Sequence, residues 1–174
     1  MGAFRTKGGI KMLLTIVFSV ILMAGLFLML IAGVAFVQDK KYFTSAPKDI
    51  QDAIIEREER FKGAHAIGWG LMIISLVLIV GALVLAGVDG VNREFTFGDF
   101  YLRFLLMILL LKVFDILFFD WFLLCHSNFY PHFYPEIKDL VGPHQFGFNK
   151  KAHIVQIAAG FVVAAVLSGI CMLF

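Results

Sequence analysis

Long apolar stretches alternate with short polar ones along this chain. The apolar stretches cover about 12–37, 66–88, 102–125 and 152–174. A transmembrane helix needs about 20 apolar residues, and four such stretches in one chain of 174 residues exceed what a water-soluble core absorbs. The pattern therefore predicts an all-α, polytopic membrane protein, with four transmembrane helices in a single antiparallel bundle.

The first apolar stretch resembles a signal peptide only in its basic start. Arg5, Lys7 and Lys11 precede it, as basic residues precede a signal core. Signal cores run for about 7 to 15 apolar residues, however, and this stretch continues from 12 to 37. We therefore predict that it is kept as the first span.

The first polar connection predicts a short interfacial helix over about 45–62. Ser45 and Pro47 are residue types that start helices, and the apolar residues that follow, including Ile50 and Ile54, fall near one helical face. The remaining positions carry many acidic and basic side chains. This pattern is typical of a helix that lies on a membrane surface.

The third span is the only one with charges inside its apolar stretch, at Lys112, Asp115 and Asp120. Residues three apart share a helix face, so Lys112 and Asp115 are predicted to pair. A charge in the bilayer costs about 2.5 to 3.5 kcal/mol or more, and the pair should therefore face the protein interior. It is either a structural pair that orients the span or part of an ion or proton pathway. The few polar residues on the other spans favour the structural interpretation.

The last connection, 126–151, is rich in aromatic residues, prolines and histidines. With the ends of the third and fourth spans it offers imidazole and carboxylate groups, which suit a divalent metal such as Zn. The candidate metal ligands are Asp120, His126, His132, His144 and His153. Their spacing matches no established metal motif, and an aromatic belt with incidental histidines is the simpler interpretation.

The same residues also suggest catalysis without a metal. A histidine can act as a general base while a carboxylate holds its tautomer. The catalytic candidates are Asp120, His126 and His132. Such a site would lie at the membrane interface and would act on a lipid or another lipophilic substrate.

Composition and charge limit the kinds of partner that the protein is expected to bind. The chain is 60 % hydrophobic and 16 % charged, with a formal net charge of +2, and it has no long block of like charge, so nucleic acid is not an expected partner. The contacts expected are membrane lipid and other membrane helices. Gly160, Ala164 and Ser168 repeat a small residue every fourth position, which favours close helix association, as a homo-oligomer or with a membrane-protein partner.

Three functional hypotheses follow. The first is a small noncatalytic subunit, partner or scaffold, which is favoured because no motif demands chemistry. The second is an interfacial enzyme that uses, with or without a metal, Asp120, His126, His132, His144 and His153. The third is an oligomeric transporter or channel that uses Lys112 and Asp115. Compact connections and the lack of an organellar presequence favour a bacterial plasma membrane, while the basic residues do not determine the orientation.

Overall fold

The protein is all-helical. The computed structural model describes residues 2–43, 46–55 and 57–174, with the side chains of 2–8, 10 and 42 left out of the description. Helix accounts for 79 % of the protein, and these described ranges contain no strand. The predicted all-α class is confirmed.

Four long helices and several short ones make up the fold. The long helices are α1 (Gly2–Ile31), α3 (Ala64–Asn92), α4 (Phe97–Phe114) and α6 (Lys150–Cys171). Two of them continue directly into π-helix, α1 through Ala32–Val37 and α4 through Asp115–Leu124. The short helices are α2 (Lys48–Ala53) and α5 (Phe129–Phe133), with 3₁₀ turns at Lys40–Phe43, Pro135–Ile137 and Pro143–Gln145.

Three helical segments are long and apolar enough to cross a membrane. They are Lys11–Val37, Ala64–Asn92 and Lys150–Cys171, and they correspond to the first, second and fourth predicted spans. The predicted third span, 102–125, falls on α4 and its π-helical segment, which is not among the three. Its polar side chains set it apart, and its crossing of the membrane stays a prediction.

Small residues allow the long helices to approach closely. A Cβ atom on Gly25 of α1 would lie 2.8 Å from Ile79 of α3, and one on Gly68 of α3 would lie 2.6 Å from Val37. Between α4 and α6, a Cβ on Gly160 would lie 2.9 Å from Ile108. Substitution at these glycines would force the helices apart, which is the packing role of small residues between membrane helices.

A buried arginine joins α3 to α4. Arg103 lies at the start of the predicted third span, and its side chain is only 2 % exposed. Its Nη1 atom donates to the Ala86 carbonyl oxygen at 2.8 Å and lies 2.9 Å from Asp89 Oδ2. The guanidinium also lies over the Phe95 ring, 4.3 Å from its centroid. Arg103 is therefore a structural residue whose charge is compensated inside the protein.

The helix predicted over about 45–62 is shorter in the structure. α2 covers only Lys48–Ala53, and Ser45 lies outside the described residues. Beyond α2 the backbone becomes extended at Ile54, because Ile55 N donates to Glu136 Oε1 at 3.3 Å in the last connection. A bond between the two connections thus replaces the helical bonds that the apolar pattern predicted.

Candidate functional site

Asp115 and Asp120 reach a common face because the helix between them is π-helical. Residues five apart in an α-helix point about 140° away from each other. In a π-helix the backbone bonds run from residue i to i+5, so residues five apart lie nearly above one another. The π-helical segment Asp115–Leu124 contains both aspartates. Both carboxylates consequently face α6.

The imidazole of His153 lies between these two carboxylates. Its Nε2 atom is 2.6 Å from Asp120 Oδ2, and its Nδ1 atom is 3.9 Å from Asp115 Oδ2. His153 is 8 % exposed, and its buried Nδ1 atom has no hydrogen-bond partner among the described residues. Each ring nitrogen therefore faces a different carboxylate, with Nε2 at hydrogen-bonding distance from Asp120 and Nδ1 beyond that distance from Asp115.

Lys112 and Gln156 extend this group along the two helices. Lys112 Nζ donates to Asp115 Oδ2 and to Gln156 Oε1, both at 2.5 Å. The structure thus brings together the predicted Lys112 and Asp115 pair and connects it to α6. We call Lys112, Asp115, Asp120, His153 and Gln156 the polar cluster. All of its side chains come from α4, its π-helical segment and α6.

A small cavity lies against the polar cluster at Asp120. It has a volume of about 100 Å³ and is lined by Asp120, by apolar residues of α1 and α2 and by Tyr130. A water molecule needs roughly 10 to 15 Å³ of such space together with polar partners. The cavity is therefore large enough for several water molecules beside the Asp120 carboxylate, but it is small for a lipid.

The two longer connections, 38–63 and 125–149, pack together over this cavity, and we call them the cover. Arg57 forms an ion pair with Glu136 and also donates to the Phe133 carbonyl oxygen at 3.0 Å. Gln145 Nε2 donates to Asp49 Oδ2 at 3.1 Å. Together with the bond from Ile55 N to Glu136, these contacts tie the first connection to the last one within the described part of the cover.

Aromatic packing completes the cover. Tyr134 is fully buried, and its ring meets that of Phe43 edge-on at 4.7 Å between centroids. Burial raises the pKa of the Tyr134 hydroxyl above its ordinary value. Ile50 and Ile54 are also buried against Tyr134 and Ile137. The apolar face predicted for the first connection therefore contacts protein.

The other histidines predicted as ligands or catalysts lie apart from the polar cluster. His126 Nδ1 is 2.7 Å from the Trp121 carbonyl oxygen, and His144 Nε2 is 2.9 Å from that of Leu140. His132 is exposed and packs its ring against Phe133. Each of these residues contacts its own stretch of chain, because the last connection folds onto the first.

The predicted metal set is not assembled. Of Asp120, His126, His132, His144 and His153, only Asp120 and His153 come together. Among the described residues, no three histidine, cysteine, aspartate or glutamate side chains are grouped so that they could hold a metal ion. Cys125 and Cys171 are both free. The candidate site is therefore the polar cluster and the cavity beside it.

Sequence reasoning treated the Lys112 pair and the histidine group as separate features. One signal connects them: Lys112 and Asp115 are three residues apart on one helix, and His153 and Gln156 are three apart on another. Two matched pairs at helical spacing can face each other across a helix contact. The π-helical register that adds Asp120 has no comparable signal in the sequence.

No protein-family model matches this chain, and comparisons with curated proteins and with solved structures find no match. Its function has therefore to be inferred from the polar cluster, the cavity and the cover.

Proposed function

We propose that the chain crosses the membrane four times, with α4 and its π-helical segment as the third crossing. The α-helical part, 97–114, is about 27 Å long at 1.5 Å per residue, and the π-helical part extends it, so that the whole segment reaches across a bilayer core of about 30 Å. Its charged side chains have partners: Arg103 pairs with Asp89, Lys112 with Asp115, and Asp120 with His153. Pairing of this kind is what allows ionisable groups inside a membrane.

Two observations support an antiparallel arrangement of these spans. Gly25 of α1 lies against Ile79 of α3, whereas Val37, in the π-helical segment that continues α1, lies against Gly68, nearer the start of α3. This order of contacts supports opposite directions for the two helices. The connections after the first and third proposed spans also meet in the cover through Arg57 and Glu136, as expected of an up-down-up-down bundle.

For the function, we propose a noncatalytic membrane subunit whose polar cluster binds and releases a proton. The position of His153 between Asp115 and Asp120 is the observation that carries this proposal. With Lys112 charged, both carboxylates ionised and His153 neutral, the cluster has a net charge of −1, and one added proton makes it neutral. A low-dielectric environment favours the neutral state, so the cluster as a whole can hold one added proton.

Proton exchange is proposed to occur from the side of the cover. The cavity under the cover reaches Asp120, whereas the serine hydroxyl groups along the helices already donate hydrogen bonds within their own helix. Ser19, Ser75 and Ser168 each donate to the carbonyl oxygen four residues earlier in their own helix. They offer no onward path within one copy, which favours a proton-responsive subunit over a transporter or channel. The compact connections favour a bacterial plasma membrane as its setting.

Infrared difference spectroscopy of the reconstituted protein tests the proposal. We expect a pH titration to show a carboxyl C=O band that is lost in Asp120→Asn and is shifted in frequency and in pH midpoint in His153→Ala, because the two carboxyl groups then lack the imidazole between them. The matched control is Asp139→Asn, which changes an exposed aspartate of the cover and should leave the band unchanged. Proteoliposomes should show this titration without steady proton flux across the membrane. A titration identical in all variants would exclude the polar cluster as the proton site.

The second candidate is an enzyme that acts on a lipophilic substrate at the interface. It is favoured by the contact between His153 and Asp120, which form an acid–base pair beside the cavity, although the cavity itself is too small to hold a whole lipid. The geometry assigns the catalytic role to His153 with Asp120, and not to His126 or His132. Incubation with membrane lipids followed by mass spectrometry distinguishes this candidate, because only an enzyme would yield a product that disappears in His153→Ala.

A further inference from the structure

The polar cluster is incompletely covered on one side. Gln156 is exposed on α6, and the side chains of Lys112 and Asp115 are 16 % and 25 % exposed. Gln156 lies five residues beyond Lys151, which is about 7.5 Å along the helix. In the four-span arrangement proposed above, this surface between α4 and α6 faces hydrocarbon. We call it the seam.

The seam holds hydrogen-bonding capacity that the chain itself does not use. Gln156 accepts from Lys112 through Oε1, and no hydrogen bond within the described residues uses its Nε2 donor. Asp115 binds Lys112 through Oδ2, and its Oδ1 atom likewise has no donor among the described residues. Lipid tails cannot satisfy either group, and unsatisfied polar groups in hydrocarbon are costly.

We propose that the seam binds a second copy of this chain. A two-fold interface must be self-complementary, because each residue meets its counterpart reciprocally. The seam fulfils this condition, since it carries one free donor on Gln156 and one free acceptor on Asp115. In the dimer Gln156 Nε2 donates to the second copy's Asp115, and the reverse bond forms by symmetry. This inference rests on the four-span arrangement and is independent of proton uptake.

The residues around the seam fit such an approach. Ala159 and Val163 follow Gln156 at three and seven positions, so they lie on the same side of α6. Both are exposed, and so is Val113 beside Lys112 on α4. Small and β-branched side chains let two helices come close enough for interhelical hydrogen bonds. The seam is therefore shaped for a helix contact and not for a headgroup.

Two neighbouring alanines provide a matched test of the interface. Ala158 and Ala159 are both exposed, but they point about 100° apart on the helix, and only Ala159 lies on the seam. In lipid nanodiscs we expect wild-type protein and Ala158→Trp to show twice the single-chain mass of 19.5 kDa. Ala159→Trp should show the single-chain mass. A single-chain mass for the wild type, or equal dimerisation of both variants, would overturn the interface.

Cysteine cross-linking supplies a second readout, which does not require the proposed interface to be disrupted. In a background of Cys125→Ser and Cys171→Ser, Ala159→Cys should form a disulfide-linked dimer and Ala158→Cys should not. Gln156→Leu should weaken the dimer about 3- to 10-fold, which is the range of one or two interhelical hydrogen bonds in membranes. A single-chain protein whose carboxyl band still titrates would overturn the interface alone. A dimer without that titration would overturn the proton proposal alone.

Discussion

Asp115 and Asp120 are five residues apart, and the Oδ2 atoms of both approach the same imidazole, that of His153. This relationship depends on the π-helical register of Asp115–Leu124. π-Helical turns are rare, and they occur frequently at functional sites. The candidate site is thus formed by the π-helical segment that continues α4 and by one face of the regular helix α6.

The register can be tested by changing the number of residues between the two aspartates. Deletion of Leu117, an exposed residue, leaves the aspartates four apart, which an ordinary α-helix places on one face. We therefore expect the deletion to retain the carboxyl titration. Insertion of one alanine after Leu117 should abolish it, because neither helix type aligns residues six apart. If the deletion variant lost the titration while the insertion variant kept it, the role given to the π-helical register would be contradicted.

Removal of the central imidazole should destabilise the protein. His153→Ala leaves Asp115 and Asp120 close to each other without the group that separates them. The cost should be about 1 to 3 kcal/mol, as for a partly buried hydrogen bond to a charged group. Reversible unfolding in mild detergent measures it, with His132→Ala as the control. Since His132 is exposed, its replacement should change stability by less than about 0.5 kcal/mol.

The ion pair between Arg57 and Glu136 should hold the cover closed. Arg57→Ala also removes the bond to the Phe133 carbonyl oxygen, so the first connection loses two attachments to the last. We expect faster hydrogen–deuterium exchange at Ile54 and at Tyr134, whose backbone N–H groups lie within the cover. Lys138→Ala, at an exposed position of the same connection, is the control. Equal exchange in the two variants would show that the pair does not secure the cover.

Alkaline pH should also loosen the cover. Burial raises the pKa of Tyr134 above its ordinary value, so the folded state favours the neutral hydroxyl. For a raised pKa, this stabilisation is fully present below the ordinary tyrosine value of about 10 and is lost as pH rises through the folded value. Protection of the cover against hydrogen–deuterium exchange, measured relative to the intrinsic base-catalysed rate at each pH, should therefore fall above about pH 10. Tyr134→Phe should remove that part of the pH dependence; an unchanged profile would assign it to other groups.

Much of the fold could be predicted from the sequence. Apolar stretches of bilayer length define helices whatever their neighbours, and three of the four predicted spans correspond to apolar helices of sufficient length. The Lys112 and Asp115 pair could also be predicted from the sequence, because three-residue spacing on a helix is a local property. The third crossing stays a prediction, since its charged residues separate it from the three apolar helices.

The rest depends on contacts that no local pattern contains. The sequence predicted a membrane-surface helix over about 45–62, but Ile50 and Ile54 pack against the last connection instead of lipid. The histidines were grouped by their nearness in sequence, whereas His126 and His144 bind local carbonyl oxygens. Such outcomes depend on how two connections that are distant in sequence fold onto each other. The hydrophobic periodicity within one segment carries no information about this contact.

The most direct test of the central claim is the infrared pH titration of the reconstituted protein, read together with its His153→Ala variant. The account predicts a carboxyl band in the wild type that appears and disappears reversibly with pH and is shifted in frequency and in pH midpoint in the variant. It also predicts that the band is unaffected in Asp139→Asn. A band that persists unchanged in His153→Ala, or a wild type whose intramembrane carboxyl groups do not respond to pH, would contradict it.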